Sequence, residues 1–399
     1  MADMTISKDI IHIGASDKEI DLFEGQYVLE NGMAYNSYLI KDKDYVIFDT
    51  VDERVTAKWL QKLTEELDGE EPDYLIISHM EPDHAYNIEM LAERYPNMKI
   101  VGNQITFNIL SNFFDIDLSK RKVIVSEGDI LDIGKHKLQF IMAPMIHWPE
   151  VMMTYEQTEK ILFSADAFGK FGALDVDEEW DCEARRYYFG IVGKYGDQVQ
   201  ALLKKASNLE IKTICPLHGP VLKENLEHYI GKYQTWSSYE PEEDGIFIAC
   251  SSIYGNTLNA VKKFAEILRE KGNKKVVIAD LTKEDWAEAV EDAFRYSTLV
   301  VASSSYNMGL FPPMEQFLNH LKERNYQKRK VAIIENGSWA PSAGRCMKKI
   351  LQEMKNLDII EPTITIKSKM NKQNEEQMKG LGDVLSIPLA GIKGQSLSQ

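Results

Sequence analysis

The pattern of hydrophobic and polar positions changes near the middle of the chain. Up to residue 236, short apolar runs alternate with turn residues, which is typical of a region dominated by sheet. From residue 245 onward, apolar runs alternate regularly with amphipathic helical segments, as in a parallel α/β sheet. The stretch 237–245 is polar, acidic and punctuated by proline and glycine, so we place the domain boundary there. We therefore predict two domains, residues 1–240 and 245–399.

Length and charge narrow the class of protein. With 399 residues the chain exceeds the roughly 250–300 residues at which single hydrophobic cores stop growing. The formal net charge of −16 argues against nucleic acid or an anionic membrane as a partner, because both require a basic surface. No apolar run approaches the ~18 residues that span a bilayer, and residues 1–10 lack the apolar region of a signal peptide. We expect no nucleic-acid partner and no membrane partner.

The cysteines are scattered along the chain, at Cys182, Cys215, Cys250 and Cys346. None forms a C-x-x-C pair, which argues against a disulfide framework, a zinc ribbon and a built-in rubredoxin or iron–sulfur module. The expected location is therefore the reducing cytoplasm.

The densest group of reactive side chains is His79, Glu81, Asp83 and His84. It follows the apolar run 74–78, which is typical of a buried strand, so the group lies on a loop at the end of that strand. Imidazole and carboxylate groups suit iron, manganese or zinc, and two carboxylates make a dinuclear site electrostatically reasonable. The alternative is a polar turn with Asp83 as a helix N-cap, but two histidines and two acids in six positions favour a metal site.

Three later residues, His147, Asp166 and His218, each follow an apolar run. A single histidine or aspartate in such a place is usually a satisfied core group or a helix cap. Here three such residues stand at equivalent strand ends, in a chain that already contains the first group. Their joint occurrence favours a role as metal ligands for each of them. His136 and His228 have no comparable setting, and we expect both at the surface.

The order of these residues resembles the metallo-β-lactamase fold as it occurs in flavodiiron proteins, also called A-type flavoproteins. Glu81 stands where the zinc hydrolases of that superfamily have a histidine, and the additional carboxylate favours iron over zinc. Residues 35–40, 49–51 and 144–149 add to the resemblance. The chain departs from many members at Glu24, where a histidine is common, and this residue would make the surroundings of the site more acidic.

The resemblance implies a ligand set for two non-haem iron ions, with no catalytic residue beyond the ligands. One iron would be bound by His79, Glu81 and His147. The other would be bound by Asp83, His84 and His218. Asp166 would bridge the two irons through its two oxygens.

In the second half, the loop 251–257 combines hydroxyl side chains and a glycine at the start of a predicted helix. Such a loop directs N–H and O–H donors at an anion, and the helix dipole adds to the attraction. The triphosphate-binding motif G-K-[ST] and the dinucleotide fingerprint G-x-G-x-x-G are both missing from it. Its S/T-x-x-G-x-T form is similar to the flavodoxin loop that holds the 5′-phosphate of FMN.

Two further loops, 303–309 and 335–339, each combine small residues with an aromatic residue. In a flavodoxin-like sheet these loops lie at the switch point, where Tyr306 or Trp339 could stack on the isoalloxazine ring. The alternative is that both aromatic residues only pack against the protein. The predicted FMN contacts are Ser252, Ile253, Tyr254, Gly255, Asn256, Thr257, Ser303, Ser304, Ser305, Tyr306, Asn307, Gly309, Asn336, Gly337, Ser338 and Trp339.

The resemblance spans nearly the whole chain and implies a fold and an activity. The expected fold class is α/β and α+β in two domains: a metallo-β-lactamase-like αββα sandwich followed by a flavodoxin-like doubly wound parallel sheet. The expected enzyme reduces O2 to water, NO to N2O, or both, with O2 as the main substrate. FMN would pass electrons to the irons, and rubredoxin or a similar protein would supply them. A head-to-tail homodimer, or a dimer of such dimers, is implied as well.

Two other classes of protein remain open. One is a zinc-dependent hydrolase of the lactamase superfamily fused to a flavodoxin domain; Glu81 argues against it, and metal analysis would test it. The other is an electron carrier whose first domain is only a scaffold. The ordered ligand-type residues argue against that class, and gas turnover by metal-loaded protein would test it.

Overall fold

The computed structural model describes residues 4–273 and 275–387. The chain divides into two compact units, with the boundary between Gln234 and Thr235. Within the described ranges, no helix is both long enough and apolar enough to cross a bilayer. The domain limits drawn from the sequence, at residues 240 and 245, stay predictions.

The first unit is rich in short strands joined by helices and loops. Its strands are β1 (Ile10–His12), β2 (Ala15–Asp17), β3 (Leu22–Phe23), β4 (Tyr27–Val28), β5 (Met33–Tyr35), β6 (Tyr38–Lys41), β7 (Tyr45–Phe48), β8 (Tyr74–Ile76), β9 (Lys99–Gly102), β10 (Lys122–Ile124), β11 (Ile130–Asp132), β12 (Lys137–Met142), β13 (Met152–Glu156), β14 (Ile161–Phe163) and β15 (Thr213–Cys215). Its helices are α1 (Thr56–Leu67), α2 (Pro82–Ala85), α3 (Ile88–Arg94), α4 (Gln104–Phe113), α5 (Trp180–Tyr187), α6 (Gly196–Ala206) and α7 (Leu226–Ser237), of which α7 crosses the unit boundary. Short 3-10 segments lie at Glu53–Val55 and Gly193–Tyr195, and a π-helical segment at Tyr188–Val192.

Two sheets form the body of this unit. The first has the order β1-β6-β7-β8-β9-β10 and is antiparallel up to β7 and parallel from there on. The second has the order β11-β12-β13-β14-β15 and is antiparallel except for its last pair. Two small ribbons, β2 with β5 and β3 with β4, complete the strand pairing.

The two sheets pack face to face around one apolar core. Phe48 of the first sheet stacks on Phe163 of the second, with ring centroids 4.0 Å apart. Helix α1 buries Trp59, Leu63 and Leu67, which recur every four residues and form one apolar face. The predicted αββα sandwich is confirmed.

The second unit alternates strands and helices. Its strands are β16 (Glu243–Ser251), β17 (Val276–Asp280), β18 (Tyr296–Tyr306), β19 (Gly309–Leu310), β20 (Arg329–Asn336) and β21 (Leu357–Ile366). Its helices are α8 (Asn256–Glu270), α9 (Trp286–Arg295), α10 (Pro312–Glu323), α11 (Ala343–Gln352) and α12 (Lys372–Leu385).

The main sheet of this unit is parallel, with the order β17-β16-β18-β20-β21, and β19 forms a hairpin with β18. Successive residues of β16 face opposite sides of the sheet. Ile246 and Ile248 belong to a core that includes Phe264 of α8, whereas Phe247 contacts the ring of Phe317 in α10. Helices therefore cover both faces, which confirms the doubly wound sheet. The strand order reverses between β16 and β18, where such sheets bind ligands.

Candidate metal centre and cofactor cavity

The seven predicted metal ligands lie at one end of the two sheets of the first unit. They follow the carboxyl ends of β8, β12, β14 and β15, and all lie on loops except Asp83 and His84, which belong to the short helix α2. The ligand atoms form two groups, and within each group they all lie within 4.8 Å of one another. The first group is His79, Glu81, His147 and Asp166, and the second is Asp83, His84 and His218.

In the first group, two imidazoles face two carboxylates. Nε2 of His79 and Nε2 of His147 lie 3.2 Å and 3.0 Å from the same oxygen, Oε2 of Glu81. They also lie 3.5 Å and 3.0 Å from Oδ2 of Asp166. Four ligand-type atoms thus converge on one small volume, which is the arrangement that a bound cation requires.

In the second group, two imidazoles face one carboxylate. Nε2 of His84 and Nε2 of His218 are 3.0 Å apart, and each lies 3.3 Å from Oδ2 of Asp83. The three side chains are buried. This second convergence lies next to the first, because Asp166 reaches both groups.

Asp166 presents one carboxylate oxygen to each group. Its Oδ2 faces the first group, whereas its Oδ1 lies 3.3 Å from Nε2 of His84 and 3.8 Å from Nε2 of His218. Carboxylates commonly join neighbouring metal ions in this way. The geometry therefore fits a dinuclear centre with Asp166 between the two positions.

The free atoms and charges of the site test whether metal ions fit it. In the described part of the chain, both oxygens of Asp83 and Oδ1 of Asp166 are buried without a hydrogen-bond partner. Buried polar groups normally have partners, so these atoms lack something that would satisfy them. The residues present therefore fit two cations.

The electrostatics agree with that conclusion. Burial opposes ionisation of Glu81, but hydrogen bonds to His147 and His79 outweigh burial and hold the pKa of Glu81 below its usual range. Burial would lower the pKa of His147, but Asp166 and Glu81 together raise it to about 9. The carboxylates therefore create a strongly negative potential in the site, which suits bound cations.

Further residues orient the ligands. Glu150, which the sequence reasoning missed, is fully buried and places Oε1 2.9 Å from Nδ1 of His79 and 2.8 Å from the backbone nitrogen of Met80. Metal-binding histidines usually donate their other N–H to such a partner. Glu150 directly follows the family-like stretch 144–149, and this position was the signal in the sequence that could have identified it. On the other side, Nδ1 of His218 donates to the carbonyl oxygen of Ala34 at 2.7 Å.

Two residues from the family-like stretches hold the ligand loops. Asp49 has a left-handed backbone, with φ +50°, and its Oδ1 accepts hydrogen bonds from the backbone nitrogens of Ser78 and His79 at 2.7 Å and 3.3 Å. Asn36 donates to the carbonyl oxygens of Pro216 and Gly219, on either side of His218, at 2.8 Å and 2.7 Å. These contacts fix the positions of the loops.

The chain departs from the family pattern at Glu24. The pKa of this residue responds to the charge of Glu81 in the first ligand group. Loss of hydration, followed by repulsion from Glu81, raises the pKa of the Glu24 carboxyl to about 7. Glu24 nevertheless keeps contact with solvent, and its Oε2 accepts a hydrogen bond from Gln26. Glu24 therefore adds acidity at the margin of the site.

In the second unit, a cavity of about 650 Å³ opens at the switch point of the sheet. Loops after β16, β18, β20 and β21 form its wall. Of the predicted FMN contacts, the structure places the following in the lining: Ser252, Ile253, Tyr254, Asn256, Thr257, Ser304, Ser305, Tyr306, Asn307, Asn336, Gly337, Ser338 and Trp339.

Three predicted contacts lie outside that lining. The hydroxyl of Ser303 is buried and bonds to the hydroxyl of Ser251 at 2.8 Å. The carbonyl of Gly309 accepts a hydrogen bond from Ser342 at 2.9 Å. Gly255 shapes the backbone instead, because its φ of +85° favours glycine at the start of α8.

The cavity also contains residues that the sequence reasoning missed, namely Met308, Ala340 and Ser368. Met308 belongs to the loop 303–309, and Ala340 directly follows the loop 335–339. Ser368 follows β21, and the available signal was that loops after parallel strands share one edge of the sheet.

One end of the cavity suits a phosphate group. Helix α8 begins there without a side-chain cap, so its first N–H groups point toward the cavity. The hydroxyl of Ser252 is buried and, in the described part of the chain, has no hydrogen-bond partner. The hydroxyl of Thr257 lies 3.0 Å from that of Ser304 and accepts a hydrogen bond from Asn336 at 3.3 Å. These donors fit the phosphate of a flavin mononucleotide.

The mouth of the cavity is rimmed by exposed aromatic side chains. Tyr254 and Trp339 are 93% and 89% exposed, and Tyr306 is 45% exposed. Flat aromatic groups at an opening can stack on a planar ring system. The mouth therefore suits an isoalloxazine ring.

Comparison with known proteins places the chain in a family. Residues 33–219 match the family model "ODP family beta lactamase". The chain is 32% identical over 350 residues to the anaerobic nitric oxide reductase flavorubredoxin of Vibrio vulnificus, covering 84% of this chain and 70% of that protein. Among solved structures, it is similar to rubredoxin oxygen:oxidoreductase from Desulfovibrio gigas, with a TM-score of 0.89, 23% identity, and coverage of 96% of this chain and 98% of that one. It is also similar to the flavodiiron protein of Giardia intestinalis, with a TM-score of 0.89, 24% identity and 96% coverage of both chains. The chain therefore belongs to the family of flavodiiron proteins and is an oxidoreductase.

Proposed function

We propose that this protein reduces O2, NO or both at a non-haem diiron site, using electrons that pass through FMN. The observation that carries the proposal is the position of Asp166, whose two oxygens face two separate groups of ligand atoms. A single-metal site would not need this second group. The oxidoreductase class agrees with the relatives.

The ligand assignment is part of this proposal. His79, Glu81 and His147 would hold one iron. Asp83, His84 and His218 would hold the other, with Asp166 shared. Bound iron supplies a reversible one-electron centre with open positions for a diatomic gas. The residues keep the two positions close, hold the imidazoles in one orientation through Glu150 and Ala34, and exclude bulk water by burial.

The FMN assignment rests on the cavity of the second unit. Ser252, Thr257 and the start of α8 would bind the phosphate, and the loops that carry Tyr306 and Trp339 would hold the ring. Hydrogen bonds from the backbone of those loops would set the potential of the flavin. The bound flavin would accept electrons and pass them on singly.

Substrate and electron donor come from the names of the related proteins. The Vibrio vulnificus relative is named a nitric oxide reductase, and the Desulfovibrio gigas protein a rubredoxin oxygen:oxidoreductase. These names support O2 and NO as substrates and a rubredoxin-type protein as the donor. As between the two gases, we propose O2 as the main substrate.

We also propose a cytoplasmic protein that forms a head-to-tail homodimer or a dimer of such dimers. Cys215, Cys250 and Cys346 are free thiols, which is usual in a reducing compartment. Tyr254 and Trp339 are exposed at the mouth of the cavity, and large exposed aromatic groups often mark interaction surfaces. Their exposure supports the proposal that a second subunit covers the mouth.

A zinc hydrolase fused to a flavodoxin is not supported. Glu81 gives the first ligand group an additional carboxylate, which favours iron over zinc, and the relatives that span most of the chain are flavodiiron proteins. Metal analysis of the protein as purified should therefore find iron. Zinc without iron, in protein that consumes neither gas, would revive the hydrolase.

The decisive experiment is anaerobic turnover by iron- and FMN-loaded protein with reduced rubredoxin, with O2 and NO supplied in parallel. We expect rapid O2 consumption and slower NO consumption. Faster NO consumption would make the protein a nitric oxide reductase and contradict the proposed preference. Consumption of neither gas would contradict the oxidoreductase mechanism proposed here.

Glu24 offers a test of what sets the preference between the gases. We expect Glu24→His to change the ratio of O2 to NO consumption, because it replaces an acidic group whose pKa responds to Glu81. Glu30→His alters another exposed glutamate of the same unit and serves as the control. An unchanged ratio in the Glu24 variant would show that the preference is set elsewhere.

A further inference from the structure

A third group of ligand-type side chains lies in the first unit, away from the diiron site. Its members are Asp9, which precedes β1, His136, in the turn before β12, and Glu159, in the turn before β14. Strand β12 runs from this turn toward His147, and β14 runs toward Asp166. The third group and the diiron site therefore lie at opposite ends of the same strands.

His136 is the unusual member of this group. We expected it at the surface, but the structure buries it completely, with 0% of its area exposed. Its turn lies against the turn between β6 and β7, where the backbone nitrogen of His136 donates to Oδ2 of Asp42 at 2.8 Å. Within the ranges that the structure describes, neither ring nitrogen forms a hydrogen bond. A buried polar side chain without a partner is costly and calls for an explanation.

A second carboxylate determines which nitrogen of His136 can bind a ligand. Oε1 of Glu156 lies 3.0 Å from Nδ1 of His136. Glu156 is itself buried and fixed, since it accepts hydrogen bonds from the backbone nitrogens of Thr158 and Glu159 at 2.8 Å and 2.6 Å. Although the two groups are not aligned for a hydrogen bond, the nearby carboxylate favours the proton of a neutral imidazole on Nδ1, which leaves the lone pair on Nε2. This carboxylate–histidine pairing is typical of metal sites in proteins.

The lone pair of His136 points into the acidic part of the group. Nε2 lies 3.7 Å from Oδ2 of Asp9 and 3.9 Å from Oε1 of Glu159. These distances are too long for hydrogen bonds. Ligand atoms at about 2.0–2.1 Å from a tetrahedral zinc ion lie about 3.3–3.4 Å apart, so a small closure of the three side chains would complete a site.

Lys135 currently neutralises the two carboxylates. Its Nζ lies 2.6 Å from Asp9 and 3.2 Å from Glu159, and its side chain is 52% exposed. An ammonium group on a long, half-exposed side chain can swing into solvent at little cost. The position between the two carboxylates thus already holds a positive charge, which a metal ion could supply in its place.

We propose that Asp9, His136 and Glu159 bind a divalent transition-metal ion of the zinc type, with water completing its coordination. The ion would replace the ammonium of Lys135. It would join the segment before β1, in the first sheet, to two turns of the second sheet. The ion is therefore structural, and it stabilises the sandwich without taking part in gas reduction.

Zinc binding to the iron- and FMN-loaded protein tests this proposal. We expect equilibrium dialysis against micromolar zinc, followed by metal analysis, to find one zinc per chain with the iron content unchanged. His136→Gln should weaken that binding by about 10-fold or more, as should the milder Asp9→Asn at a half-buried position. The matched control is His228→Gln, since His228 lies 2.6 Å from Asp181 but belongs to no three-residue ligand group in the described chain.

Two further results decide the outcome. Lys135→Met should tighten zinc binding, because it removes the competing ammonium, and zinc should raise the unfolding temperature of the wild type but not of Asp9→Asn. Equal zinc binding by the wild type, His136→Gln and Asp9→Asn would overturn the proposal. Absence of the additional zinc from both the wild type and Lys135→Met would also overturn it, and would leave Lys135 as the only cation of the group.

Discussion

Nε2 of His84 and Nε2 of His218 lie 3.0 Å apart, although the two residues are 134 positions apart in the sequence. Because Nδ1 of His218 donates to the carbonyl oxygen of Ala34, its Nε2 must present a lone pair to His84. Asp83 places one oxygen at 3.3 Å from both nitrogens. Three ligand atoms from two distant segments of the chain therefore converge on one small volume, and such pre-organisation favours metal binding.

Asp166→Asn should remove much of the iron while FMN stays bound. The substitution replaces a shared carboxylate by a neutral amide, so both ligand groups lose a charged oxygen. Iron and flavin contents per chain are the measurement. Asp132→Asn, at an exposed carboxylate of the same unit, is the control and should keep its iron. Two irons per chain in the Asp166 variant would contradict the bridging role.

Glu150→Gln should weaken iron binding at the position of His79 by about 10- to 100-fold, the usual effect of changing the partner of a metal-binding histidine. Glutamine keeps the size of the side chain but removes the charge that orients the imidazole. Titration of the metal-free variant with ferrous iron measures the effect. The exposed Glu127→Gln provides the comparison, and equal affinities in the two variants would exclude an orienting role for Glu150.

Thr257→Ala should weaken FMN binding by about 10- to 100-fold, since a hydrogen bond to a charged group contributes about 1.5–3 kcal/mol. Thr257 belongs to the first turn of α8 and lines the phosphate end of the cavity. Flavin fluorescence during titration of the FMN-free protein gives the dissociation constant. Thr282→Ala, at an exposed threonine of the same unit, should bind FMN normally. Unchanged affinity in Thr257→Ala would argue against this phosphate site.

His12 should make the first unit sensitive to mild acid. Burial, with the nearby charge of Lys62, lowers the pKa of His12 to about 4, compared with about 6.5 in an unfolded chain. As the pH falls below about 6.5, the unfolded state takes up the proton first. The stability that neutral His12 contributes is therefore complete above pH 6.5 and is lost between about 6.5 and 4, by about 3 kcal/mol in total.

His12→Gln tests this dependence, because glutamine can still donate to Asn36, which accepts at 2.9 Å from His12. Denaturant unfolding of wild type and variant at several pH values gives the difference in the free energy of unfolding. We expect the variant to be less stable near pH 7 and to lose less stability on acidification. A difference between the two proteins that does not change from pH 7 to 4.5 would show that His12 does not titrate in this window.

Arg329→Met should destabilise the second unit by about 3 kcal/mol or more, because it leaves buried carbonyl groups without donors. Arg329 is buried and donates to the carbonyl oxygens of Tyr239 and Tyr296 at 2.7 Å and 2.9 Å. The unfolding transition followed through bound flavin measures the loss. Lys283→Met, at a side chain that is 76% exposed, should leave that transition unchanged, and equal stabilities would contradict this role of Arg329.

Local sequence patterns were sufficient to predict the alternation of strands and helices and the loops that carry the reactive side chains. Strand patterns repeat every two residues and helix patterns every 3.6, so both can be recognised within a short window. Parallel strands also place their carboxyl ends at one edge of a sheet, which is why the loops after β16, β18 and β20 could be grouped in advance.

What surrounds those loops was decided by the tertiary structure. Three examples join segments that are distant in the chain. They are the pairing of Glu150 with His79, the position of Ser368 in the cavity of the second unit, and the burial of His136. Ser303 was predicted to contact FMN because of its position in the chain. Its hydroxyl instead faces the core and bonds to Ser251. The direction of a loop side chain and the burial of a turn depend on the packing of neighbouring strands, which no short stretch of sequence contains.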